Sequence, residues 1–72
     1  MKKQEFYFAL EEYLEIENLK ESSNLDLTSM DILSVIALVD ENFDKQLKAS
    51  DLKSVKSVLG LMKLIGQENF SE

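Results

Sequence analysis

No proline interrupts this chain of 72 residues and glycine occurs only twice, so almost nothing in it stops a helix. Good helix formers dominate, and what remains to be read is which stretches carry an apolar face to bury. Residues 3–16 set Phe6, Leu10, Tyr13 and Leu14 at i, i+4, i+7 and i+8, one face of an amphipathic helix, with Glu11, Glu12 and Glu15 largely off it. From Asn18 to Thr28 the pattern breaks. Glu21-Ser22-Ser23-Asn24 reads as a loop, and Leu25 and Leu27, alternating with Asp26, pin it to the core. Ile32, Ile36, Val39 and Phe43, with Val35 beside them, predict a second helix over 29–43, and Thr28 with Asp31 has the spacing of a capping box at its start. After a connection over 44–48, Ser50 is placed to cap one turn of helix near 50–54. Ser57 then caps a last helix over 57–66, with Val58, Leu61, Met62 and Ile65 as its apolar stripe and Gly66 at its end. The remaining residues, 66–72, read as a polar tail in which Phe70 is the one large apolar side chain.

The expected fold is therefore all-α, one small domain over 1–72 built as a bundle of three main helices plus one short helix. Its expected core is Phe6, Leu10, Leu14, Ile32, Val35, Ile36, Val39, Phe43, Val58, Leu61, Met62 and Ile65. Apolar residues make up 44% of the chain, enough for a globular core, but ordering each residue costs roughly 1.5 kcal/mol, so a domain this small depends on efficient helix packing. It has no cysteine to staple it and no histidine. Disulfides, thiolate metal sites and the Cys–His and Ser–His–Asp catalytic sets are thereby excluded from this chain alone.

Charge narrows the partners. Eight lysines, no arginine and fourteen carboxylates give a net charge of −6, the wrong sign for neutralising nucleic-acid phosphates. Residues 1–44 hold eleven acids against three lysines, whereas residues 45–72 hold five lysines against three acids. The acidic first part suits basic partner surfaces. No stretch approaches the roughly 18 apolar residues of a membrane span, and no signal-peptide h-region stands at the N-terminus, so a cytoplasmic protein is expected.

Residues 25–65 carry a more specific pattern. Thr28-Ser29-Met30-Asp31 opens the second helix, aliphatic residues follow, and Asp40-Glu41 stand just before Phe43. Further on come Leu47, Asp51-Leu52, Val55, Ser57-Val58, Leu61-Met62 and Ile65. This order resembles the acyl carrier protein family, in which an Asp-Ser-Leu motif opens the second helix and a Thr-Val pair opens the last. Here Ser29 stands in the Ser position and Met30 in the Leu position. The resemblance implies that Ser29 is the covalent attachment point of a 4'-phosphopantetheine arm, added from coenzyme A by a phosphopantetheinyl transferase. It implies no catalytic residue and no metal. The arm would carry acyl intermediates as thioesters between separate enzymes, with the chain acting as a monomer. Met30, Leu33 and Ala37 would form the apolar centre of the docking surface, and Asp40, Glu41 and Asp44 its acidic rim toward acyl-loading and acyl-transfer enzymes with basic docking surfaces. Thr28 replaces the usual Asp, Ser34 stands where many fatty-acid carriers have Glu, and Lys45, Lys48 and Lys53 add charge near the third helix. These departures point to a specialised pathway of lipid or secondary-metabolite biosynthesis.

Two other readings compete. One is a small acidic helical adaptor or antitoxin-like interaction module with no prosthetic group. The other takes Asp40-x-Asn42-x-Asp44, with Asp51 at the twelfth position, as an EF-hand-like calcium loop. Lys45 occupies the position that needs Gly in such a loop, and Asp51 is short for the bidentate Glu. Serines 22, 23, 34, 50, 54 and 57 read as loop, surface or cap residues.

Overall fold

The carboxylate of Glu5 accepts the backbone N–H of Lys2 at 3.0 Å and so satisfies one of the donors orphaned at a helix start. The helix it opens, α1, runs Lys3–Leu14 and stops where Glu15 turns into the left-handed region at φ 56°. The expected helix therefore closes before residue 16. In the computed structural model, which describes residues 1–71, α1 is followed by α2 (Ser29–Phe43), α3 (Ala49–Leu52), α4 (Val58–Ile65) and a 3-10 turn over Gln67–Asn69. The architecture is all-α, a small bundle of three main helices and one short one. Among the described residues no helix is long and apolar enough to cross a membrane.

Local chemistry sets the bounds of α2. The Thr28 hydroxyl accepts the Asp31 N–H at 3.2 Å while the Asp31 carboxylate accepts the Thr28 N–H at 3.0 Å, a reciprocal capping box. Asp44 ends the helix in the left-handed region. At α3 the Asp51 carboxylate accepts the N–H of Lys48 at 3.2 Å, so the turn begins one residue before Ser50, and Ser50 lies inside it.

The start of α4 is completed from a distance. Ser57 Oγ accepts the Gly60 N–H at 3.0 Å, and the two preceding donors, Val58 and Leu59, give their N–H groups to the carbonyls of Ser23 and Glu21. Leu25 N–H in turn donates to Lys56 O at 2.9 Å. The connection between α1 and α2 thus caps α4, and it is fixed at its other end by Glu11, whose carboxylate accepts the Leu19 N–H at 2.8 Å. At the far end of α4, Ile65 O accepts from Lys45 Nζ at 2.8 Å and from Asn69 Nδ2 at 3.1 Å. Gly66 breaks the helix at φ 113°, which disfavours any side chain.

The core differs from the expected set in two ways. Leu19, Leu25, Leu38, Leu47, Leu52 and Val55 join it, while Leu14, Ile36 and Phe43 are only half-buried. α2 packs against both α1 and α3, so its buried arc is wider than one stripe and takes in Leu38. The segment read as a polar tail, of which residue 72 lies outside the described residues, is tied into the bundle. Phe70 stacks edge-on against Phe6 and Phe43, with ring centroids at 4.9 and 5.2 Å. The backbone of Ser71 pairs with Met1 and Lys3 in a short parallel bridge.

Candidate functional site

Ser29 is the first residue of α2, exposed, and the cap that precedes it is made by Thr28 and Asp31, not by its own hydroxyl. Among the described residues the N–H groups of Ser29 and Met30 meet no acceptor, as is usual for the first donors of a helix. With these donors and the positive end of the helix dipole, this corner favours an anion.

A helix advances about 100° per residue, so Ile36, Ser29, Asp40 and Leu33 fall within roughly 60° of arc, and Ala37 and Met30 lie a further 40–60° round. Met30 is 78% and Leu33 67% exposed, and Ala37 is exposed beside them. This face of α2 meets the connection to α3 in an open groove of about 440 Å³. Leu33, Ile36, Ala37 and Asp40 form its α2 wall, and Gln46, Leu47 and Lys48 the opposite one. Leu47 is buried, while Asp40, Gln46 and Lys48 are exposed. Among the described residues Asp40 and Lys48 make no ion pair with each other.

The acids named from the sequence separate in space. Asp40 borders the groove. Glu41 instead accepts a hydrogen bond from the Tyr13 hydroxyl at 2.8 Å, tying α2 to α1. That bond, with desolvation and the charges of Glu41 and Glu12, raises the Tyr13 pKa above its ordinary value. Asp44 is exposed at the left-handed end of α2, and Asp31 is engaged with Thr28 on the far side from the groove. Asp40 and Asn42 lie inside α2 and so adopt helix, not the loop an EF-hand needs. Among the described residues no group of three or more His, Cys, Asp or Glu side chains converges as a metal site.

Sequence reasoning assigned Ile36 to the core and gave Gln46, Leu47 and Lys48 no role beside Ser29. The positions of Ile36 and Asp40, seven and eleven residues after Ser29, do carry a signal, since both spacings return to the same helical face. Nothing in the sequence announces the opposite wall, which depends on the path of the connection. No family model matches this chain, and no curated protein or solved structure matches it significantly.

Proposed function

We propose that this chain is an acyl carrier, modified on Ser29 by a phosphopantetheinyl transferase, and not itself an enzyme. The observation that carries the reading is an exposed serine at the first position of a long helix whose outward face is apolar. The exposed hydroxyl leaves room for a transferase to approach, and the unpaired donors of the first turn suit a phosphodiester. Ser29 Oγ attacks the pantetheine-bearing phosphorus of coenzyme A, the new P–O bond forms as the pyrophosphate P–O bond breaks, and adenosine 3',5'-bisphosphate leaves. The serine proton passes to a base on the transferase, because this chain has no histidine or cysteine to take it. The arm, once attached, supplies a thiol that holds acyl groups as thioesters.

The roles of the other residues follow from exposure and charge. Met30, Leu33 and Ala37 offer an apolar contact, and Asp40 steers basic partner surfaces toward it, which affects encounter rate more than affinity. A carrier must leave each enzyme before meeting the next, and a small interface of this kind suits a monomer visiting partners in the cytoplasm. Intact-mass spectrometry after incubation with coenzyme A and a broad-specificity transferase tests the proposal. The expected result is a gain of one phosphopantetheinyl group, mapped to Ser29 and lost in Ser29→Ala. No gain, or a gain on another serine, rejects it in favour of an adaptor without a prosthetic group.

A further inference from the structure

Of the six aromatic side chains, five lie in the core or pack against it, and Phe8 alone does not. It is 63% exposed on α1. Phe6 and Leu10, two residues to either side, are fully buried, and at 100° per residue each lies about 160° round the helix from Phe8. Phe8 therefore stands nearly opposite the buried side of α1. Gln4 and Glu12 fall within about 40° of it and Glu5 within about 60°, and Glu15 follows as the C-cap. All four are exposed, and among the described residues none of these three carboxylates is in an ion pair. The one lysine of α1, Lys3, lies about 140° away from Phe8.

An exposed phenylalanine is ordinary by itself. Here it stands inside a rim of one charge, and that charge decides what can cover it. A second copy presenting the same face sets carboxylates against carboxylates, and a neutral apolar surface buries them without partners. Anionic lipid and nucleic-acid surfaces are repelled. We propose that this face of α1 binds an arginine-bearing segment of a basic partner protein, at a surface separate from the outward face of α2. A guanidinium stacks flat on the Phe8 ring while its N–H groups donate to Glu12 or Glu5, a pairing that a compact ammonium makes less well. The two faces share no residue, so the proposal stands whether or not Ser29 is modified.

The test titrates the unmodified, 15N-labelled chain with a helical peptide of alanine, leucine and arginine whose arginines are spaced at i and i+4. A second peptide with lysine for arginine, and spermidine, serve as comparisons. NMR shift changes are expected to centre on Gln4, Phe8 and Glu12, with the arginine peptide binding more tightly than the lysine peptide. Phe8→Ala, at an exposed position, should keep the helical signal and weaken the arginine peptide about two- to fivefold, the effect of one cation–π contact. Glu12→Gln combined with Glu15→Gln should weaken it too, most at low salt. Asp40→Asn should leave it unchanged. Shifts centred on α2 or spread over all the acidic residues overturn the proposal, as does equal binding by Phe8→Ala or an equal response to spermidine. Shifts at Phe8 that depend on the concentration of the free chain also overturn it, in favour of a second copy as the occupant.

Discussion

The inward face of α2 offers Ile32, Val35, Leu38 and Val39, the outward face Met30, Leu33 and Ala37, and by residue type the two are hard to tell apart. The inward set is almost wholly buried, on a helix that packs against α1 and α3, whereas Met30 and Leu33 remain more than 60% exposed. What separates them is the set of neighbours each face meets. Isolated exposed apolar residues are ordinary on a protein surface. Several on one helical face, beside a groove and an exposed serine, make the surface that the carrier reading assigns to docking.

The comparison is most easily broken with Leu38→Ala. A fully buried leucine should cost about 2–5 kcal/mol in urea or thermal melts, a large part of the stability of so small a domain. Leu33→Ala, by contrast, should stay within about 0.5 kcal/mol, and equal losses at the two positions would mean that Leu33 also belongs to the core. Next in size is Thr28→Ala, which removes the acceptor of the Asp31 N–H and should cost about 1 kcal/mol. It should also slow mass gain at Ser29 if the start of α2 must be held for the transferase.

The Tyr13–Glu41 bond lies between the two faces and gives a smaller, pH-dependent effect. A pKa raised in the folded state means that the fold favours protonated Tyr13. That contribution is fully present below the unfolded value of 10.0 and is lost as pH rises through the higher folded value. Tyr13→Phe should therefore lower stability at neutral pH and flatten its decline at alkaline pH, as read from melts across that range. The smallest change in stability is expected for Leu33→Asp, which should leave the melt almost unchanged while reducing modification by the transferase. A collapsed fold in that variant would refute the assignment of the outward face.

Helix α2 was legible in the sequence from end to end, because Thr28 and Asp31 cap it locally and its apolar spacing is helical over four turns. Ser57 and Gly66 bound α4 in the same local way. The burial of Leu38 was not legible, since it depends on α2 being flanked on two sides, which no single stripe encodes. The same holds for the donors of α4 that bond to Glu21 and Ser23, more than 30 residues earlier in the chain. Of the candidate site, the position of Ser29 and the outward stripe could be read from spacing. The opposition of Lys48 to Asp40 could not, because it is set by how residues 44–48 cross the end of α2.

The bridge between Lys2 and Ser71 brings the backbone within a short linker of being a closed ring. Joining those residues and opening the chain at Glu17–Asn18, both exposed, would give a circular permutant that begins near α2 and ends with α1. Every helix would keep its neighbours, and the outward face of α2 would be untouched. In that sense the fold is a property of the cyclic order of its helices, with no one of them needing to come first.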